Sequence, residues 1–402
     1  HDKVTAHGDM FRRRKDDTTS TGYVGIENES GTEVAMTIDS TTADWMIQAL
    51  EKWGGQVQTR AHGVQELRPP IAAVDDAHVI IERPLQTNDP DYHIETELEK
   101  YANKACLYIR VLTNGVFTAM DCRGVDMSAR FTNAVLMVTN NVAGLSFGVK
   151  TNGYYRFYSN TVSGAVSNGA YTVSETNFYD HREAAWMRPV DIYINELIRE
   201  FPDLTNSTYS VAEGRSVVYI TRDDPDGGGS RKPCVRLRNA RILPAGGFSV
   251  ASDVPVYIEG HYNATNKTVA FVAGDAVTEL STAWQDCRSP STSLTDRPAV
   301  STTYNVVILT GNSETTLGHY NGGLENVMRF LEHWGGQTVT FRGSIIDLWY
   351  ADIATGAWLY GSPRYEAPIR NFGYDDIYRT LSPPGMTSVF ALEETGWAQG
   401  SW

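Results

Sequence analysis

The sequence predicts a mainly β protein with a few short helices, and three observations lead to this fold class. Short apolar runs rich in Val, Ile and Tyr follow one another between residues 217 and 311, and each ends at a residue that favours a turn. Such side chains suit a pleated, half-buried surface. The spacers before about residue 275 are too short for a crossover helix, which disfavours a βαβ sheet. The turns carry single Asn, Asp or Gly residues, which is typical of β-helix coils.

Two arrangements of these runs remain open, an antiparallel meander and a parallel β-solenoid. No strict repeat is visible, but the shortness of the runs favours the solenoid. We therefore expect a parallel β-helix core with helical and aromatic-rich caps. The runs are VVYIT (217–221), CVRLR (234–238), ARILP (240–244), FSV (248–250), VPVYIEG (254–260), TVAFVAG (268–274) and YNVVILTG (304–311).

The rest of the chain is predicted as segments around this core. They are an arm or linker at 1–22, an α+β segment at 23–90, a hairpin and short-strand region with a helix at 91–210, and the core with its C-terminal cap at 211–402. Apolar spacing, with Pro or Gly at some of the ends, predicts helices over 41–53, 92–103, 189–201 and 324–334. The segment 338–402 has little periodicity, and we expect it to wrap an open end of the core.

Two similar motifs, LEKWGGQ (50–56) and LEHWGGQ (331–337), differ at one position. In both, the pattern predicts a helix that ends at a Gly-Gly stop, because glycine adopts the left-handed conformation at low steric cost. Independent helix termination and an internal duplication both explain the likeness.

The four cysteines are predicted to form two disulfides. A three-residue loop, Thr113 to Gly115, joins two apolar runs, and a type I turn with a bulge at the glycine fits it. That register brings Cys106 opposite Cys122, whereas a two-residue turn would separate them. Cys234 and Cys287 would then pair by elimination. Disulfides imply an oxidising compartment; the alternative is four reduced thiols in a cytosolic protein.

Composition excludes some classes of function. The net charge of −14 argues against nucleic acid as a partner, because phosphate binding needs a basic face. No run approaches the ~20 apolar residues of a membrane span.

The basic cluster Arg12, Arg13, Arg14 and Lys15 lies in the predicted arm. We expect it to dock on an acidic neighbouring copy.

Several polar clusters are candidates for chemistry. The aspartates of the loop RDDPDGGGSRK suit Ca²⁺, but the full spacing of a calcium loop is missing, so that a solvated turn is favoured and no cofactor is expected. The motif FYDHRE brings acid and base groups together, but neighbours on a strand point to opposite faces, which favours a structural salt-bridge corner. The loop aspartates are Asp223, Asp224 and Asp226, and the motif contains Asp180, His181, Arg182 and Glu183.

Neither a zinc site nor a catalytic residue is predicted. His7, His261 and His333 lie far apart, with no Cys or His at metal-ligand spacing. Carboxylates in or near the apolar runs of residues 217–311 could work as acid and base in a β-helix lyase or glycosidase. Nothing in the sequence shows that two of them converge. They are Asp253, Glu259, Asp275 and Glu279. No nucleophile elbow, phosphate loop or dinucleotide fingerprint is present.

Several motifs follow one another in a fixed order between roughly residues 90 and 395. They are KYANKACLYI (100–109), FYDHRE (178–183), VDIYINEL (190–197), residues 242–284, YNVVILTGN (304–312), residues 320–350, ATGAW (354–358), RNFGYDD (370–376) and PPG (383–385). In this order they resemble a segment of large bacterial surface proteins associated with type IV pili, whose precursors often begin with a prepilin-like helix. The resemblance implies a β-rich surface protein of solenoid type, and it supplies no catalytic residues to carry over.

We therefore expect an extracellular structural or adhesive protein on a bacterial surface, and a non-enzymatic protein rather than an enzyme. The expected partners are further copies of the chain, joined head to tail, or other pilus components, and surface glycans are a further candidate. The alternative is a polysaccharide-active β-helix enzyme, either a lyase or a glycosidase.

Overall fold

A computed structural model describes residues 68–112, 117–131, 178–201, 216–223, 231–314, 321–322 and 324–387, together with Ile47, Leu50 and some isolated strands outside these ranges. The chain divides into two units. One comprises residues 1–71 and 387–402, and the other comprises Ala72–Met386. The sequence-based segment boundaries at 22, 90 and 210 stay predictions.

The first unit contains short strands. Strand β1 (Val4–Thr5) pairs in parallel with β4 (Val57–Gln58), and β2 (Val24–Glu27) pairs with β3 (Glu33–Met36) as an antiparallel hairpin. Ile47 and Leu50 are helical, within the helix predicted over 41–53, but both are exposed.

The second unit contains two mixed sheets and a few short helices, which confirms the prediction of a mainly β protein. Sheet A has eight strands in the order β21-β20-β18-β16-β14-β12-β5-β6. Its strands are β5 (Leu107–Val111), β6 (Phe117–Asp121), β12 (Val217–Arg222), β14 (Phe248–Ser252), β16 (Ala270–Ala273), β18 (Thr302–Asn312), β20 (Thr338–Tyr350) and β21 (Ile369–Gly373).

Sheet B has seven strands in the order β10-β11-β13-β15-β17-β19, with β7 paired beside β11. Its strands are β7 (Val135–Met137), β10 (Phe178–Asp180), β11 (Ala185–Tyr193), β13 (Arg231–Arg238), β15 (Val256–Glu259), β17 (Val277–Leu280) and β19 (Arg329–Phe330). A further hairpin joins β8 (Phe147–Thr151) to β9 (Tyr154–Tyr158).

From β12 to β19 the chain alternates between the two sheets, and every pairing between neighbours in this stretch is parallel. Val235 pairs with Val256 and Val256 with Val277, so that 21 residues separate the partners in each case. Fully buried side chains from both sheets, such as Val250 and Ile258, belong to one core cluster. An antiparallel meander is therefore wrong for this stretch.

The helices described in the second unit are shorter than predicted. They are α1 (Ile94–Glu99), α2 (Tyr101–Lys104), α3 (Ile194–Glu200) and α4 (Leu324–Val327). Between α1 and α2, Lys100 is extended and buried, where it pairs with Glu97 at 2.8 Å. Within the helix predicted over 92–103, Ile94 is 55% and Leu98 is 64% exposed, whereas Tyr101 is fully buried.

Part of the helix predicted over 189–201 is strand. Pro189 lies inside β11, opposite Cys234 of β13, and the helix starts only at Ile194. The run from Val190 to Tyr193 is wholly buried, including Asp191, which pairs with the buried Arg236. Burial of all four residues hides which of them face the core, so that the pattern does not distinguish a buried strand from a buried helix. Similarly, residues 329–330 of the helix predicted over 324–334 form β19. The motif LEHWGGQ (331–337) follows this strand and does not end a helix. A helix that stops at Gly-Gly therefore does not explain this copy of the motif.

Two predictions about strands are also corrected. Residues 240–244 form no strand, because the chain turns there with Asn239 at φ 56°. The 338–402 segment begins with β20, a strand of 13 residues.

Within the described residues, no helix is long and apolar enough to span a bilayer.

The predicted hairpin register is confirmed. Leu107 pairs with Asp121, and the Cys122 N–H donates to the carbonyl of Cys106 at 3.1 Å. Both cysteines are thiols in the structure, where Cys106 Sγ donates to the carbonyl of Val217. Cys234 lies in an apolar cluster outside the main core, and Cys287 is half-buried. The two disulfide pairings stay predictions.

Candidate functional site

A row of aspartates follows the carboxyl ends of the strands of sheet A. Asp223 follows β12, Asp253 follows β14, Asp275 comes two residues after β16, and Asp352 comes two residues after β20. These strands are parallel, so their carboxyl ends lie at one edge of the sheet. We call this row the aspartate edge.

One segment, residues 77–83, supplies two of the basic side chains at this edge, His78 and Arg83. It begins with a short 3₁₀ helix, Ala77–Ile81, capped by Asp76, whose side chain accepts the His78 N–H at 2.9 Å. Ile80 and Ile81 are fully buried, and Tyr219 Oη donates to the Ile81 carbonyl at 2.8 Å. These anchors leave His78 and Arg83 to contact the aspartates.

His78 lies among three carboxylates. Its Nδ1 is 2.9 Å from Glu82 Oε1 and 3.6 Å from Asp352 Oδ2, and its Nε2 is 3.4 Å from Asp275 Oδ1. Burial disfavours the charged ring, but hydrogen bonds to Asp275 and Glu82 outweigh it and raise the pKa of His78 to about 10. The ring edge also packs against Trp349, with the centroids 5.9 Å apart.

Asp275 is the fixed member of this group. Its side chain is fully buried and accepts the N–H groups of Asp352 at 2.6 Å and Ala354 at 2.8 Å, and also that of Ile353. Three backbone donors hold the carboxylate in place without a second side-chain cation. Asp275 therefore fixes both the turn after β20 and the ring of His78.

Arg83 joins two other aspartates of the edge. Its Nη1 donates to Asp223 at 2.5 Å, and its Nε donates to Thr221 Oγ1 at 2.6 Å and to Asp253 at 3.3 Å. The second oxygen of Asp223 accepts from Arg110 at 2.7 Å. The two carboxylates thus converge on one guanidinium, at a place where Arg83 is 37% exposed.

Asp253 has the environment of a general acid. Burial raises the pKa of Asp253 to about 6, against hydrogen bonds from Thr221 and Arg83 that lower it. The half-buried ring of Tyr108 lies beside this group and packs on Tyr219, with the centroids 5.1 Å apart. The arrangement combines a protonatable carboxyl, a second carboxylate and an aromatic ring.

The four carboxylates predicted in or near the apolar runs of residues 217–311 do not form one site. Asp253 and Asp275 belong to the aspartate edge, whereas Glu259 lies on sheet B and binds Arg238. Glu279 is fully buried with no hydrogen-bond partner among the described residues, and burial raises its pKa. Position along the strands therefore did not predict which carboxylates meet.

The FYDHRE motif forms a buried corner. Glu183 pairs with Lys232 at 2.8 Å and with Arg329 at 3.0 Å, as a salt-bridge corner requires. Asp180 accepts the N–H of Arg182 at 2.7 Å and the hydroxyl of Tyr257 at 2.7 Å. His181 Nε2 lies 3.0 Å from the Ser289 carbonyl.

The remaining predicted sites are only partly described. Both oxygens of Asp223 are ion-paired to arginine, while Asp224 and Asp226 lie outside the described residues, so the solvated turn stays a prediction. Arg12, Arg13, Arg14, Lys15 and His7 also lie outside them. His261 Nδ1 accepts the Thr303 N–H, and His333 pairs with Glu366 at 3.0 Å.

The sequence reasoning missed His78, Glu82, Arg83 and Asp352. One signal was available, since the stretch HVIIE places a histidine and a glutamate four residues apart. The partners on the aspartate edge come from distant parts of the chain. Strand pairing aligns the aspartates, and the packing of the 77–83 segment against sheet A brings His78 and Arg83 to them.

Comparisons with known proteins give no match. No protein-family model matches the chain, and neither a curated protein nor a solved structure is significantly similar to it. The function is therefore argued from the chain's own geometry.

Proposed function

We propose that the chain is an extracellular structural or adhesive surface protein that assembles head to tail into a pilus or another filament. We further propose that its two sheets form the coils of a parallel β-solenoid. The alternation of the chain between the sheets and the parallel pairing support this fold. In a solenoid each coil contacts only its neighbours, so that the first and last coils need a cap or a partner.

The observation that carries this proposal is that each of the two outer strands of sheet A has an exposed apolar side chain. An outer strand presents unpaired N–H and C=O groups to any strand that can pair with it. Strand β21, at one edge, is largely exposed, and Ile369 on it is 57% exposed. Strand β6, at the other edge, carries Met120, which is 49% exposed. Strand β21 thus offers an exposed apolar side chain. The outer side of β6 already contacts residues 125–128, since the Met127 N–H donates to the Ala119 carbonyl at 2.7 Å and the Asp121 N–H donates to the Val125 carbonyl at 3.0 Å.

The two edges differ in sequence, so that contact of one edge with the other is heterologous and need not close. Such a contact generates a filament rather than a dimer. Further large side chains with apolar surface are exposed at the end of β20 and after β21, including Tyr350, Tyr374 and Leu381. They extend the apolar surface available on this part of the chain.

A substitution at the edge tests this assembly. The full chain at high concentration is expected to form multimers by light scattering and filaments by electron microscopy, and Ile369→Lys is expected to abolish both. Ile242→Lys is the matched control, because Ile242 is 53% exposed but lies in the turn between β13 and β14. A chain that stays monomeric, or an Ile369→Lys variant that assembles normally, would overturn the proposal.

The second candidate is a polysaccharide-active enzyme, favoured by the convergence of Asp223 and Asp253 on Arg83 beside Tyr108. Here Asp253 would act as the acid, and the aromatic ring would hold a sugar. In this case Asp253→Asn abolishes depolymerisation of a polysaccharide panel, whereas Asp376→Asn, at an 85% exposed carboxylate, leaves it intact. If the unmodified chain cleaves none of the polysaccharides, this reading fails.

A further inference from the structure

We propose that His78, Glu82 and Asp352 bind a divalent transition-metal ion of the Zn²⁺ class at the aspartate edge. One ligand atom from each residue, an imidazole nitrogen and two carboxylate oxygens, lies within 4.8 Å of the others. This site is independent of the assembly surface and of the Arg83 cluster.

The spacing of the donor atoms suits a shared ion. Ligand atoms about 2.0–2.2 Å from one tetrahedral zinc ion lie roughly 3.4 Å apart. His78 Nδ1 is 2.9 Å from the Glu82 oxygen and 3.6 Å from the Asp352 oxygen, which brackets that separation. Only small side-chain shifts are needed, and the two carboxylates are exposed enough to make them.

Asp275 supplies the support that metal-binding histidines commonly have. Such a histidine donates the N–H of its other ring nitrogen to a carboxylate or a carbonyl, which fixes the tautomer and the ring orientation. His78 Nε2 faces the fully buried Asp275 at 3.4 Å, and backbone N–H groups hold that carboxylate in place. Nδ1 is thereby directed toward Glu82 and Asp352.

Charge and access also favour an ion here. Three carboxylates surround one imidazole, so a divalent cation would neutralise an excess of negative charge. Glu82 is 42% and Asp352 is 71% exposed, which gives an ion a route from solvent, while His78 is 9% exposed. A nitrogen ligand favours Zn²⁺ or Co²⁺ over Ca²⁺, which takes six to eight oxygens. Three protein ligands leave a fourth position for water.

The experiment titrates the full chain, freed of metal by a chelator, with Zn²⁺ by calorimetry and with Co²⁺ by visible absorption. We expect Zn²⁺ to bind, and Co²⁺ to give the absorption of a tetrahedral site. Asp352→Asn and Glu82→Gln should each weaken Zn²⁺ binding at least tenfold. Both residues are substantially exposed, so these variants are expected to fold.

The matched control is His333→Ala, which removes a histidine that faces one carboxylate, Glu366, at 3.0 Å. It should leave the affinity for Zn²⁺ unchanged. The proposal is overturned if the chain binds no Zn²⁺, if Asp352→Asn and Glu82→Gln bind it normally, or if His333→Ala loses binding as they do. In those cases His78 only forms structural ion pairs with the carboxylates, or Zn²⁺ binds at another place.

Discussion

The buried charge of Arg236 is held by several partners. The Arg236 side chain is 1% exposed and donates to Asp191 at 2.6 and 3.0 Å and to Asp286 at 2.5 and 3.0 Å. Its guanidinium also lies 5.4 Å from the ring centroid of Phe178. A buried charge is tolerated only when such partners compensate for its lost hydration.

Arg236→Met tests this network. The substitution keeps much of the side-chain volume but leaves Asp191 buried without its main cation, and we expect a loss of about 3–5 kcal/mol in the free energy of unfolding. Arg379→Met is the control, because Arg379 is 72% exposed and its pair with Asp376 should contribute less than about 1 kcal/mol. Urea unfolding measures both, and equal losses would contradict the role of Arg236.

Glu332 is predicted to make stability depend on pH. Burial raises the pKa of Glu332 to about 8, against hydrogen bonds from Ser281 that lower it. The unfolded chain releases this proton near a pKa of about 4.3. The folded state therefore holds an extra proton between these values, and the contribution of Glu332 to stability falls as the pH rises toward 8.

Glu332→Gln, which stays neutral, should flatten that fall and exceed the unmodified protein in stability at pH 9 by a few kcal/mol. At pH 4 the two proteins should differ little. Glu314→Gln, at an exposed carboxylate, is the control. Urea unfolding at pH 4, 7 and 9 provides the comparison. Parallel pH profiles for the Glu332 variant and the unmodified protein would show that burial does not raise the pKa of Glu332.

At the scale of elements, the longest pairing joins β18 to β20 in sheet A, and Gly343 allows the close approach of the two strands. A Cβ atom at Gly343 would lie 1.9 Å from the carbonyl oxygen of Val306, a backbone atom that a rotamer change cannot move. This position therefore depends on the absence of a side chain.

Gly343→Ala is expected to destabilise the protein by about 1–3 kcal/mol or more, because the two strands must separate locally. Gly246→Ala is the matched control, since a Cβ there has no neighbour within 4 Å and the backbone is not left-handed. Thermal unfolding should show a clearly lower midpoint for the first variant only. An unchanged midpoint for Gly343→Ala would mean that the strands are less closely packed than described.

At the scale of the whole molecule, the proposed filament needs a contact between copies, and the charge of the chain suggests one. The net charge is −14, while Arg12 to Lys15 form a basic cluster near the start of the chain. On an acidic molecule such a cluster is attracted to a neighbouring copy.

Deleting residues 1–22 should therefore impair assembly, and it also removes β1 with its pairing to β4. Light scattering and electron microscopy measure assembly, and circular dichroism measures the melting temperature. Substituting Arg12, Arg13, Arg14 and Lys15 by glutamine is the control for charge, and should impair assembly to a similar degree. Normal assembly of the deletion variant would exclude the arm from the contact.

The sequence by itself determined the mainly β class, most strands of the 217–311 train and the hairpin register. These follow from local physics: β-branched and aromatic runs favour strands, and the loop ending at Gly115 sets which residues of β5 and β6 face each other. It did not separate strand from helix at Val190–Tyr193, because this segment is short and wholly buried, and its one charged residue, Asp191, is paired inside the protein and does not face solvent.

Only the tertiary structure decided which polar groups meet. His78 and Asp275 lie far apart in the chain, as do Arg83 and Asp253, and the packing of the 77–83 segment against sheet A brings each pair together. Glu279 and Asp275 look alike in the sequence, yet one is buried without a hydrogen-bond partner among the described residues and the other is held by backbone donors. Burial and contact are properties of the folded chain, and residue type and local spacing do not determine them.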